Sequence, residues 1–479
     1  MNVLQCCFFI RNRLSSIRLP NLSPFRSMTV GVGIYACPAS KQLRFLRMKK
    51  SPFSTVSSTG SNRVFRFSDY DCIGFDLDNT LVRYKLSELM NLEYNVLSQY
   101  LVNVKGYDPK YLRKTFKSGA SLVQRGLLLD FKRGNIVKLG PKGVVMRACH
   151  GTRFLSDSEI ESTYGPCKIW EEGAVYARDP IEAWSGPLSN KVRALLDYFD
   201  TPAALVFARI IDSIEESGSE PGREVWPDIL DGLVYMFNPD NFQNEYFSSI
   251  KSNVDKYVHS VDRKVLTWLL SLRQHGKKLF LLTGSGAEFV PLIAEHALGS
   301  DWRSLFDVTI SYARKPWFFL QTKEEKPFVV ISESNSDKEA KVLVPRLDSY
   351  IIYEQGSWDG LRTSLEAALG KKNGGKVLYV GDNLVQDIYA PFRSSTCETA
   401  TICEEMGANM SFEGSENLVD PLLMSTSWGS FFGDGGVMSY WSEIINKYSK
   451  ICIPAVSVCA SKSVDFPFRA IYYPDDPIY

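Results

Sequence analysis

No apolar run in these 479 residues approaches the ~18 that a bilayer span requires, so a membrane-spanning helix is excluded. The ten cysteines include no C-x-x-C pair. Neither a zinc ribbon nor a dense disulfide framework is indicated, and a reducing compartment is expected. Acid is missing from one place altogether: residues 1–68 hold 11 Lys or Arg and no Asp or Glu. The remainder therefore sets 44 basic residues against all 54 acidic ones, a balance of −10 that the overall net charge of +1 conceals. A body of that sign lacks the broad basic surface of a nucleic-acid polymer binder. What is present, 44% apolar and 23% charged residues, is the balance of a globular protein. At ~100–200 residues per domain the length allows two to four folding units.

The acid-free leader carries 11 Ser, and Phe8, Phe9, Ile10, Leu14, Ile17 and Leu19 interleave with Arg11, Arg13 and Arg18. This is the composition of an organellar transit peptide, expected over residues 1–66, with the mitochondrion as first destination and the plastid as second. The alternative is a disordered extension on a cytosolic protein, with translation starting at Met28 or Met48.

From Phe67 onward short apolar segments alternate with helical periodicity. Cys72–Phe75, Leu279–Leu282, Val308–Ile310 and Val377–Val380 read as strands of a buried parallel sheet, and Leu86–Leu101, Ala287–Leu298 and Leu361–Leu369 as helices. The pattern predicts an α/β fold with a Rossmann-like, doubly wound sheet. Its core is expected over 67–107 and 262–412. A stretch of about 108–261 interrupts the alternation and is long enough for a domain of its own, with a hairpin over Gly126–Leu139 and a helix over Pro202–Ile214. Residues 413–479 are expected as an extension packed on the core.

Chemistry-bearing residues gather at the predicted strand ends, where open α/β sheets bind ligands. Asp76 and Asp78 follow the first strand in Asp76-Leu77-Asp78-Asn79-Thr80. Two carboxylates at that spacing suit a nucleophile and a general acid and base, provided a cation holds the first ionised; a simple Asx turn is the other reading. Thr283, Gly284 and Ser285 end the second strand, and Ser285-Gly286-Ala287-Glu288 has the form of a capping box, whose helix N-terminus favours a phosphate. Taken alone, the segment reads more readily as an ordinary strand–loop–helix connection. Asp382 ends another strand and Asp387 follows five residues on, hard oxygen ligands of the kind that suit Mg²⁺. Asp387 also reads as a helix-opening acid. Lys315, after Val308–Ile310, can balance clustered acids or lie solvated on the surface.

Asp, Thr, Lys and Asp at four strand ends in this order resemble the motifs of the haloacid dehalogenase superfamily. Phe67–Leu81, Ala313-Arg314-Lys315-Pro316-Trp317-Phe318-Phe319 and Gly381-Asp382 with Asp387 are similar to its cytosolic purine 5′-nucleotidase branch. Trp428-Gly429-Ser430-Phe431-Phe432 and Tyr448–Pro454 narrow the likeness further, and it spans roughly 67–479. The resemblance implies that Asp76 attacks phosphorus and that Asp78 protonates the leaving oxygen and then activates water. It places Mg²⁺ on the Asp76 carboxylate, the Asp78 carbonyl and Asp382, with Asp387 orienting a water. Thr283 and Ser285, with Gly284 between them, would hold phosphoryl oxygens, and Lys315 would neutralise charge beside Asp76.

The implied substrate is a small phosphate ester, a nucleoside 5′-monophosphate first, with no membrane or nucleic-acid polymer as partner. Rival expectations are a phosphatase for another ester or a phosphoprotein, and a low-activity scaffold that keeps the fold. The 108–261 segment would be the cap that selects the leaving group. In the purine branch a cap helix supplies Arg and Asp to the nucleotide; aligned here, Trp226–Asn238 puts Leu230 and Val234 at those places, both apolar. Purine specificity is therefore not implied. His150 and Arg153 are candidate cap contacts, with a satisfied structural histidine as the alternative for the former. Tyr235, Phe237, Phe242, Tyr246 and Phe247 offer rings for stacking but have the spacing of core residues.

Overall fold

The computed structural model describes residues 64–218, 225–238, 241–320, 326–331, 340–394, 397–409, 420–424 and 427–469. The leader expected over 1–66 lies outside the described residues but for its last three.

Strand β1 (Cys72–Phe75) is buried along its whole length and leads through a loop to helix α1 (Leu86–Asn103). Next come β2 (Leu127–Asp130), β3 (Asn135–Leu139), β4 (Val145–His150), β5 (Arg153–Phe154) and β6 (Val192–Leu195). They pair antiparallel as a separate five-stranded sheet in the order β5-β4-β3-β2-β6. Helices α2 (Pro202–Glu216), α3 (Val225–Phe237) and α4 (Glu245–Ser252) follow, and both α2 and α3 pack on α1. The chain then runs through α5 (Arg263–Gln274), β7 (Lys278–Leu282), α6 (Phe289–Leu298), β8 (Val308–Ser311), β9 (Phe328–Ile331), β10 (Lys341–Val342) and β11 (Ile352–Gln355). It closes with α7 (Trp358–Leu369), β12 (Val377–Gly381), β13 (Cys397–Ile402), α8 (Tyr440–Tyr448) and β14 (Ser449–Ile453).

The main sheet has nine strands in the order β10-β9-β11-β8-β7-β1-β12-β13-β14, parallel from β11 to β14 and antiparallel at β9 and β10. The predicted doubly wound α/β architecture is thus the observed one. From β1 the chain builds outward on the β7 side, then returns to β12 on the other side. That reversal opens the crevice at the carboxyl end of β1, where such sheets bind ligands. Close approach at this centre needs Gly74, because a Cβ there would lie 2.1 Å from the Phe280 ring of β7.

Helix ends differ from the apolar periodicity for local reasons. α7 begins at Trp358, three residues before its first periodic leucine, because the Ser357 hydroxyl accepts the Gly360 N–H as a cap. It ends at Gly370, which takes the left-handed conformation at φ 63°. The antiparallel edge formed by β9 and β10 has no counterpart in the sequence pattern, since short strands at an edge carry little periodicity.

The five-stranded sheet does not stand apart from the core. Leu128, Val137 and Ile160 share one apolar cluster with Leu384, Ile388, Tyr440 and Trp441. Indole N–H groups tie the same surfaces: Trp441 donates to the Gly126 carbonyl at 2.8 Å and Trp428 to that of Leu122 at 3.1 Å. The buried Lys138 ammonium donates to the carbonyls of Trp428, at 2.7 Å, and Ser430. Among the described residues no helix is long and apolar enough to cross a membrane.

Candidate active site

Four strand ends deliver the predicted residues to one place. Asp76 and Asp78 leave β1 in a turn made possible by Asn79 at φ 55°, a left-handed value that Asn tolerates. Thr283 and Ser285 follow β7, with Gly284 buried between them. Lys315 follows β8 in a loop where Tyr312 and Arg314 have φ of 42° and 50°. Asp382 follows β12, and Asp387 sits in the wide helical turn Leu384–Tyr389, which the Asn383 side chain caps by accepting from Val385 and Gln386. Gly381 lets that turn fold back, since a Cβ there would lie 2.4 Å from the Asp387 Cβ.

The two acids of the first motif have different surroundings. Lys315 Nζ stands 2.9 Å from Asp76 Oδ1 and 2.6 Å from Asp387 Oδ1. The ammonium also donates to the Tyr379 hydroxyl at 3.1 Å, and that hydroxyl donates to the Leu282 carbonyl at 2.8 Å. Asp78 instead collects hydroxyls: Tyr84 donates to its Oδ1 at 2.6 Å, and Thr283 at 3.3 Å and Ser285 donate to its Oδ2. The Ser285 hydroxyl is thus taken by Asp78, and α6 begins four residues later at Phe289 without a side-chain cap. The expected capping box is not formed.

One carboxylate oxygen each from Asp76, Asp382 and Asp387 lies within 4.8 Å of the others, and all three side chains are buried. Burial raises the Asp76 pKa well above the carboxylate range; the Asp387 and Asp78 charges push the same way and Lys315 opposes them. Burial likewise raises Asp382, against the pull of Arg125, and Asp387, against that of Lys315. For Lys315 burial works against the charge, but Asp387 and Asp76 outweigh it and hold the ammonium well above its ordinary pKa. The cluster therefore holds more acid than the nearby cations balance. Converging hard oxygens with an uncompensated negative charge fit a divalent cation.

Asp387 is further fixed by the Asn383 N–H, which donates to its Oδ2 at 3.0 Å. Two residues absent from the sequence reading enter here. Tyr84 reaches Asp78 from the loop before α1, and Arg125, just before β2, donates to the Asp382 carbonyl at 3.0 Å and lies 3.3 Å from its Oδ2. Neither stands in a motif, so no spacing signals it.

The expected cap contacts are engaged elsewhere. The His150 ring nitrogens lie 2.7 Å from Asn135 Oδ1 and 2.7 Å from Glu215 Oε1, as a satisfied structural histidine does. Arg153 is exposed and pairs with Glu159 at 2.8 Å. Phe237, Tyr246 and Phe247 are buried core rings, and Leu230 and Val234 pack against the same core.

The 5′ nucleotidase family model matches residues 61–422. Over 453 residues the chain is 33% identical to the 5′-nucleotidase domain-containing protein 1 of Bos taurus and, equally, to that of Homo sapiens, covering 86% of this chain and 97% of each relative. The 5′-nucleotidase domain-containing protein 2 of Rattus norvegicus is 24% identical over 462 residues, covering 85% of this chain and 77% of the relative.

Proposed function

The chain belongs to the 5′ nucleotidase family, and from that premise we propose that it is a Mg²⁺-dependent phosphomonoester hydrolase that releases phosphate from a nucleoside 5′-monophosphate. The observation that carries this reading is the asymmetry between two buried carboxylates on one strand end: Asp76 faces the Lys315 ammonium and the other acids, and Asp78 faces three hydroxyls.

Burial pushes the Asp76 pKa up and Lys315 opposes it; a divalent cation at the acid cluster would add to that pull and favour the ionised state a nucleophile needs. In the first step an Asp76 oxygen bonds to phosphorus as the bond to the leaving oxygen breaks, and Asp78 gives that oxygen its proton. In the second, Asp78 takes a proton from water, the water oxygen bonds to phosphorus, and the bond to Asp76 breaks. Thr283 and Ser285 change partners on this reading, turning from the Asp78 carboxylate to phosphoryl oxygens. Lys315 keeps Asp76 and Asp387 in register and offsets the charge gathering on the phosphoryl group. Mg²⁺ would be held by Asp76, Asp382 and Asp387, with the Asp78 carbonyl, and would supply charge neutralisation of the phosphoryl oxygens.

The test is phosphate release by the purified protein across nucleoside monophosphates, sugar phosphates and phosphopeptides. Asp76→Asn should lose activity by on the order of 10⁴-fold or more on every substrate. Full activity of that variant would sink the mechanism. A second reading, hydrolysis of another small phosphate ester, is favoured by the apolar Leu230 and Val234 at the positions expected to recognise a purine. The ranking of substrates in the same screen decides between the two.

The leader is proposed to be a mitochondrial address. A fusion of residues 1–68 to a fluorescent protein should enter mitochondria and the native N-terminus should be processed. A diffuse fusion with an unprocessed N-terminus would reject it.

A further inference from the structure

Arg125 comes from the segment that leads into β2, yet the residue is 4% exposed and its guanidinium reaches the core's acid cluster. Its Nη1 donates to the backbone carbonyl of Asp382 at 3.0 Å and lies 3.3 Å from Oδ2 of the same residue. Its other edge forms a fork on Glu405, from Nε to Oε1 at 2.9 Å and from Nη2 to Oε2 at 2.7 Å. The guanidinium carbon lies 4.9 Å from the Tyr198 ring centroid and 5.2 Å from that of Phe431, one ring following β6 and the other in the C-terminal segment. Three separate stretches of chain therefore immobilise one planar cation against one carboxylate.

We propose that Arg125 is the positioning residue of the cation site, holding Asp382 in the orientation that leaves its second carboxylate oxygen to the metal, while Glu405 cancels the guanidinium charge. Grip on both the backbone carbonyl and a carboxylate oxygen fixes Asp382 at two points, one on the main chain and one on the side chain. An unpaired guanidinium there would compete with an incoming dication for the same carboxylate. Paired with Glu405, it supplies geometry at little electrostatic cost, as partners behind metal ligands commonly do. Lysine cannot replace it, because a point charge with three rotatable donors has no planar fork. The proposal also gives residues 428–432 a task, since Phe431 packs the guanidinium that orients a ligand of the cation.

This rests on the reading of Asp382 as a metal ligand, and Mn²⁺ alone separates the two claims. Binding of Mn²⁺ to the purified full chain, without substrate, is followed by electron paramagnetic resonance of the free ion, with thermal unfolding in parallel. Arg125→Lys and Glu405→Gln should each raise the Mn²⁺ dissociation constant roughly 10–100-fold. Asp382→Asn should weaken it at least as much. Wild-type protein that takes up no Mn²⁺ would remove the metal reading itself. Wild-type protein that binds, beside folded Arg125→Lys and Glu405→Gln variants of equal or greater affinity, would leave Asp382 as a ligand and overturn the role of Arg125. If Arg125→Lys fails to fold, Phe431→Leu takes its place, with a smaller weakening expected in the same direction.

Discussion

At the carboxyl ends of β1 and β12, Asp76, Asp382 and Asp387 converge, with Lys315 paired to Asp76 and Asp387 and Arg125 to Asp382. In the segment between α1 and α5 buried charge is treated otherwise. Arg209 donates to the Tyr94 hydroxyl, the carbonyls of Lys114 and Thr115 at 2.8 and 3.0 Å, and the Ser118 hydroxyl at 2.8 Å. Arg193 pairs with Asp200 at 3.2 Å, and Lys138 is met by two carbonyls. Charge engaged from several sides is scaffold: it fixes one packing and has no capacity left for a ligand. Acids pressed together with too little cation keep that capacity, and this difference separates the site from its support more sharply than burial does.

Exchanging one buried lysine in each region breaks the comparison most directly. Lys315→Met should cut phosphate release by on the order of 10²–10³-fold, because the developing phosphoryl charge loses its fixed partner. Lys138→Met should leave turnover per folded molecule nearly unchanged and cost about 1–3 kcal/mol of stability, since it strands two buried carbonyls. Steady-state kinetics with parallel denaturant unfolding reads both. Burial lowers the Lys138 pKa to about 8, so the ammonium is still mostly charged near pH 7, and Met removes that buried charge together with its two hydrogen bonds. Loss of turnover in the Lys138 variant that matched the Lys315 one would erase the distinction.

How much of this was open to a reader of the sequence follows from the distances along the chain. Asp76, Asp78, Thr283, Lys315 and Asp382 each sit at or just beyond the end of a buried apolar run, so a local pattern marks both the strand and the reactive residue at its mouth. Arg125 and Glu405 are 280 residues apart, and their pairing depends on how the five-stranded sheet seats on the core. No local pattern encodes that seating. Ser285-x-x-Glu288 misled because α6 begins only at Phe289, which leaves Ser285 ahead of the cap position, with its hydroxyl donating to Asp78, 207 residues away.

The comparison is sharpened by the residue that departs from it. Glu93 lies on α1, fully buried, and neither carboxylate oxygen has a hydrogen-bond partner among the described residues. Burial raises its pKa well above the ordinary value, and the neighbouring Asp197 and Asp200 charges push it the same way. In the unfolded chain the group titrates at about 4.3. Above that pH the unfolded chain releases a proton that the folded protein keeps, so this residue makes stability fall as pH rises, until the folded carboxyl itself ionises. Glu93→Gln keeps the shape and removes the titration. The variant should match the parent near pH 4 and exceed it progressively toward pH 8, by a few degrees in Tm if the difference reaches about 1 kcal/mol. Thermal unfolding across that range checks it. A difference between the two proteins that did not change with pH would mean that Glu93 carries the same charge folded and unfolded, and that it belongs with the engaged scaffold charges after all.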